Sequence, residues 1–128
     1  MFKFETLDIW KEAINFVTEI YRLTKTFPKS ETFGLTPQLT RSAISISLNI
    51  AEGSSRKSRI DYKRFIQMAL GSLNGVVTCL YIAAEQKYLI KEEFNQVYGK
   101  CEKISKMLYG FIRHLDTPIN HPPLTIHH

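Results

Sequence analysis

Residues 39–73 read LTRSAISISLNIAEGSSRKSRIDYKRFIQMALGSL, and the fold turns on how their first half is read. Ile44, Ile46, Leu48 and Ile50 alternate with Ser45, Ser47 and Asn49, the period of a half-buried strand. A helix is nonetheless expected. No other segment reads as a partner strand, and a lone strand would leave its backbone groups unpaired. Wound as a helix, the segment carries one apolar stripe of Ile44, Leu48 and Ala51 and a second of Leu39, Ala43, Ile46 and Ile50. Arg41, Ser45, Asn49 and Glu52 fill the rest, and of these Arg41, Asn49 and Glu52 suit polar contacts between helices or subunits. So wide an apolar arc needs burial on two sides. Either the helix lies between its own bundle and another subunit, where small serines permit close approach, or it is central in a single chain. On the first reading Ile46, Ile50 and Ser47 are the interface residues.

The second half concentrates charge. Arg56, Lys57, Arg59, Lys63 and Arg64 stand against Asp61 alone, a local excess of four where the whole chain has a net charge of +5. Focused charge points to an anionic partner, and diffuse charge only to solubility. Arg56 and Lys57 fall in a turn after Gly53-Ser54-Ser55, and the other three in the first two turns of the next helix. Cations at a helix N-terminus oppose its dipole, which favours a functional reason for them. Tyr62 lies among them and is a candidate for stacking on a base. The five cations are the candidate nucleic-acid contacts, gripping phosphate without regard to sequence.

Outward from this stretch, helical spacing predicts three more helices. The first spans about 7–27, through Trp10, Ala13, Ile14, Val17, Ile20, Tyr21 and Leu23, with Thr6 as N-cap and Phe27-Pro28 as its stop. The second, about 37–54, is expected to start with Thr36 as cap and Pro37 at its first position. The third, about 59–86, opens on a near capping box, Ser58-Arg59-Ile60-Asp61. Gly71 and Gly75 lie near one face of it, where each costs about 1 kcal/mol relative to Ala; either close helix contact requires them or they are merely tolerated. The fourth, about 91–115, ends at Asp116-Thr117-Pro118. Residues 119–128, with Pro122-Pro123 and three histidines, read as a flexible tail. Short connections imply an all-α, antiparallel up-and-down four-helix bundle in one domain, 1–118.

Little here points to chemistry. No Glu-x-x-His pair, Walker A pattern or GxGxxG occurs, and no Ser/His/Asp arrangement suggests itself. No catalytic residue, metal site or cofactor is expected. His114 is the one histidine within a helix and reads as structural. Cys79 and Cys101 lack CxxC partners and read as buried thiols. The chain, 44% hydrophobic and 23% charged, has the composition of a globular domain. No apolar run is judged to approach the ~18 residues of a membrane span. Without a signal-peptide core, the default expectation is a cytoplasmic protein.

Several runs carry a family resemblance. Phe4-Glu5-Thr6-Leu7-Asp8-Ile9-Trp10 and Phe33-Gly34-Leu35-Thr36-Pro37-Gln38 are two. Arg41-Ser42-Ala43-Ile44-Ser45-Ile46 followed by Asn49-Ile50-Ala51-Glu52-Gly53 is the third, and Phe65 with Ala69-Leu70-Gly71-Ser72-Leu73 the fourth. Across about Phe4 to Leu115 the chain resembles the bacterial 23S rRNA intervening-sequence (S23/IVS) proteins. Leu48 stands where that pattern has a proline. The resemblance implies a ring-shaped oligomer, a homopentamer foremost. It also implies kinship with the accessory protein of diversity-generating retroelements, whose charged barrel contacts nucleic acid and a reverse transcriptase. It implies no enzymatic activity. RNA or DNA binding is the first functional expectation, RNA ahead of DNA. A protein-interaction scaffold meeting an acidic partner is the second, and a small-molecule or metal site between helices a weaker third.

Overall fold

The computed structural model describes residues 1–118. The expected tail, 119–128, lies outside the described residues. Four helices follow one another: α1 (Asp8–Thr24), α2 (Leu35–Ser54), α3 (Arg59–Glu85) and α4 (Lys91–Leu115). Short 3-10 turns at Lys3–Thr6 and Lys29–Glu31 precede α1 and α2. The bundle expected from the sequence is present, with α4 at its expected bounds. Each helix packs on its chain neighbours, and α1 closes the ring by touching α4 more sparsely. One core runs the length of the molecule. Ile9, Phe16 and Ile20 of α1 meet Leu39, Ile46 and Ile50 of α2, Ile66, Val76 and Leu80 of α3, and Ile104, Leu108 and Phe111 of α4.

Helix ends differ from expectation for identifiable reasons. Leu7 rather than Thr6 occupies the N-cap position of α1; Thr6 is the last residue of the preceding 3-10 turn, where its hydroxyl donates to the Lys3 carbonyl. The helix stops at Thr24, three residues before Phe27, in tightened bonds from Thr26 N–H to Leu23 O and Phe27 N–H to Thr24 O. α2 starts two residues before Pro37. Its cap comes from upstream: the Glu31 carboxylate accepts the Leu35 N–H at 2.9 Å, an anion at the positive end of the dipole. The other oxygen of Glu31 accepts the Tyr88 hydroxyl at 2.9 Å, which ties this connection to the α3–α4 turn. That turn closes in a Schellman arrangement, with Tyr88 N–H to Ala83 O and Lys87 N–H to Ala84 O. Lys87 sits at φ 65° in the position that favours glycine.

The two apolar stripes of α2 are real, but they face the other way from the expected interface. Ile46 and Ile50 are fully buried and Ser47 is buried, all inside the chain's own core. They cannot be the side chains offered to a second subunit. Leu48, of the other stripe, is 55% exposed, with Ile44 and Ala51 half-buried beside it. The polar strip decides the rotation. Ser45 accepts from the Ser72 hydroxyl across the α2–α3 seam at 2.8 Å, and the Asn49 amide donates to the Ser45 carbonyl and hydroxyl. With Ser45 turned to α3, the Leu39–Ile46–Ile50 stripe faces inward.

α3 also corrects the reading of apolar runs. From Phe65 to Ala84 it carries twenty consecutive uncharged residues, and one window reaches a mean hydropathy of 1.5. By length and composition alone this helix could cross a bilayer. Here it packs between α2 and α4 as a bundle member, and its outer face presents Gln67, Met68, Gly71, Asn74 and Thr78.

Candidate functional site

The basic residues do gather at one end of the bundle, where the α2–α3 turn meets the C-terminus of α4. Ser58 begins α3 as expected, its hydroxyl accepting the Asp61 N–H at 3.1 Å. Asp61 does not complete the box, and instead pairs with Arg64 at 3.4 Å.

The five cations then divide by what they touch. The Arg59 guanidinium crosses to α4 and donates through Nη1 to the carbonyls of His114, Leu115 and Thr117, at 3.2, 3.4 and 3.3 Å. Leu115 O belongs to the last turn of α4, where carbonyls lack partners within the helix, while His114 O also accepts the Thr117 N–H and Thr117 lies just past the helix. Arg59 is thus a positive charge at the negative end of a dipole, the favourable placement. Lys63 makes an ion pair with Asp116 at 3.0 Å, just past the same helix. The apparent conflict with the α3 dipole is resolved for these two by α4. Both are engaged at the bundle end, Arg59 by three carbonyls and Lys63 by a part-exposed ion pair with Asp116.

Arg56, Lys57 and Arg64 remain. Arg56 lies over the Phe65 ring, 4.4 Å from its centroid, which fixes the guanidinium while leaving its donors outward. Lys57 is exposed and makes no ion pair among the described residues. Arg64 meets Asp61 in a pair open to solvent, which contributes little. With Asp116 counted beside Asp61, the corner keeps an excess of three charges over its five cations.

Tyr62, the candidate for base stacking, is buried. Its ring packs on Phe111 at 5.1 Å and covers Gly53, and burial raises its hydroxyl pKa well above the ordinary phenol value. It cannot reach a base. The aromatic side chains open at this end belong instead to the segment before α1, where Phe2 is exposed and Phe4 half-buried. Their one trace in the sequence is the spacing Phe2, Phe4, Trp10.

The thiols sit elsewhere, on α3 and α4. Cys79 and Cys101 are buried and unbridged. Burial pushes the Cys101 thiol up to about 12 and also raises Cys79, so both are neutral and poorly nucleophilic at neutral pH. Among the described residues no three His, Cys, Asp or Glu side chains converge as a metal site.

Residues 5–110 match the model of a family described as 23S rRNA-intervening sequence protein. No curated protein matches the chain. Among solved structures, the chain is similar to a protein of unknown function of the S23 ribosomal protein family from Bacteroides thetaiotaomicron VPI-5482. The two are 24% identical, with a TM-score of 0.76 over 82% of this chain and 98% of that one. At that identity the likeness speaks for the fold.

Proposed function

The chain belongs to the 23S rRNA-intervening sequence protein family, and from that premise we propose a non-enzymatic, homo-oligomeric bundle that holds nucleic acid, RNA ahead of DNA, at its α2–α3 turn. The observation that supports the binding half is the grouping of Arg56, Lys57 and Arg64. These three cations stay solvent-facing after Arg59 and Lys63 are taken up by α4. Point charges and guanidinium forks on a fixed turn suit phosphate oxygens, and their affinity falls with salt as counterions are released.

The test is fluorescence anisotropy on labelled RNA across a salt series, comparing wild type with Arg56→Gln/Lys57→Gln/Arg64→Gln. The triple variant is expected to bind at least ~10-fold more weakly at low salt. Its log–log salt slope should be shallower by about 2, since each phosphate left unneutralised on a single strand removes roughly 0.7. Wild type that ignores RNA at low salt, or a triple variant that binds as well as wild type, would overturn the proposal. An acidic protein partner would then be the better reading of the same charges.

The assembly half draws support from apolar surface left open on α2 and α3. Leu48 is 55% and Met68 50% exposed, and the exposed positions of α3 between Arg64 and Glu85 are uncharged. The exposed α3 positions there would bring no charged side chain into a contact between chains. A ring, pentameric foremost, would repeat the basic turn around its axis and multiply weak contacts. Light scattering after gel filtration should give a mass several times the 14.8 kDa of one chain, and Leu48→Lys should lower it. A wild-type mass of one chain would end this part of the proposal.

A further inference from the structure

We infer that the same end of the bundle carries a base-stacking platform at Phe2, so that the nucleic acid taken there is single-stranded. The inference rests on the phosphate-binding reading of Arg56, Lys57 and Arg64 and adds what lies beside them.

Three rings climb outward from the core. Trp10 on α1 meets Phe4 edge-on at 4.9 Å and 60°. Phe4 in turn stacks on Phe2 at 5.9 Å and 19°. Phe2 is the last of the three and is 73% exposed. The segment bearing it is held in place. The Glu5 carboxylate accepts the Phe2 N–H, the Thr6 hydroxyl donates to the Lys3 carbonyl, and Phe4 packs against the core. The ring is therefore presented by a 3-10 turn, and little ordering entropy remains to be lost when a ligand stacks on it.

Between this turn and the end of α2 lies an open cavity of about 400 Å³, lined by Phe2, Lys3, Phe4, Ala51, Glu52, Ser54 and Ser55. Its wall is mostly carbon. Lys3 and Glu52 are its charged members, and Ser55 leads directly into Arg56 and Lys57. A strand whose phosphates lie on Arg56 and Lys57 would have its bases within reach of the ring. Base–aromatic stacking is tolerant of sequence because every base has a π-face. In a duplex those faces are hidden in the stack, so the platform works only on unpaired nucleotides. The Glu52 carboxylate can accept from an N–H on the edge of a stacked base, such as the N3–H of uracil. An anionic membrane also attracts aromatic and basic side chains together. The ring-on-ring geometry and the carboxylate inside the cavity favour the base.

The experiment measures anisotropy with a labelled oligouridylate, the same strand with abasic sites, and a blunt RNA duplex, and adds sedimentation with phosphatidylserine vesicles. Wild type is expected to prefer the oligouridylate to both other nucleic acids. Phe2→Ala should weaken the oligouridylate about 5- to 150-fold, the range of one stacked base, and leave the abasic strand unchanged. Phe2→Trp should keep the affinity, with its fluorescence quenched on binding. If Phe2→Ala binds the oligouridylate as wild type does while the cation triple variant fails, the platform is refuted and the phosphate grip stands. If wild type binds no nucleic acid, both readings fall. Vesicle binding that needs Phe2, without preference for single strands, would overturn the platform in favour of a lipid surface. Because Phe2 is so exposed, an unchanged melting temperature is expected to accompany each variant.

Discussion

Gly53→Ala is expected to destabilise the protein by about 1–2 kcal/mol, and Gly53→Val by about 3 kcal/mol. A bare helix-propensity argument gives the opposite sign for alanine, since replacing a helical glycine gains about 1 kcal/mol. The structure reverses it. A Cβ at Gly53 would stand 2.9 Å from the Phe65 Cβ and 3.0 and 3.2 Å from Tyr62 Cδ1 and Cε1. The first of these is anchored to the α3 backbone, so the side chain cannot simply swing aside. Tyr62 is held between Gly53 and Phe111, so moving it disturbs the core. Relief has to come from parting α2 and α3 where the turn brings them closest. Gly71 offers the control, because nothing lies within 4 Å of a Cβ there. Gly71→Ala should raise stability by up to about 1 kcal/mol. Urea melts of the three variants check the ordering, and a stabilised Gly53→Ala would show that the close approach is not limiting.

Arg59→Ala is the second large effect, with an expected loss of about 2–3 kcal/mol from bonds made to a charged donor. One guanidinium nitrogen serves three carbonyls at the end of α4. Its removal leaves that helix end to water and deletes the cation that α3 places over it. Arg59→Lys should recover part of the loss, since an ammonium keeps the charge but not the planar fork. The measurement that separates structure from binding is RNA affinity at a temperature where the variant is fully folded. It should match wild type, whereas the Arg56, Lys57 and Arg64 triple variant should keep its stability and lose the RNA. An Arg59→Ala protein as stable as wild type, but deficient in RNA binding, would return Arg59 to the ligand contacts that its place in the basic cluster suggests.

These variants show what the sequence could and could not tell. α4 was legible to the residue because a single apolar stripe ends at an Asp-Thr-Pro stop. α3 was nearly so, through Ser58. On α2 the two stripes were visible, but a helical projection contains no information on which one faces inward. That depends on Ser45 meeting Ser72, 27 residues away. Local sequence gathers the five cations at one corner but does not say which of them α4 engages. Arg59 and Lys63 answer to groups 53 to 58 residues on, which no local pattern encodes. Tyr62 is ambiguous in sequence because tyrosine suits both core and surface. Phe2 carries no local signal, because an aromatic outside any helix has no periodicity to mark it.

The way α1 is fastened has a kinetic consequence. It lies mainly on α2, and its reach to α4 is sparse, bridged by ion pairs from Lys100 to Glu19 and from Lys103 to Glu12. α2 and α3, by contrast, are joined by a short turn and pack along their length. Contacts near in sequence form early, and closure between chain ends comes late. The α2–α3 hairpin is thus the natural nucleus, with α1 closing onto α4 afterwards and leaving first. Because that last seam is partly ionic, salt should speed its opening more than it weakens the hairpin beneath.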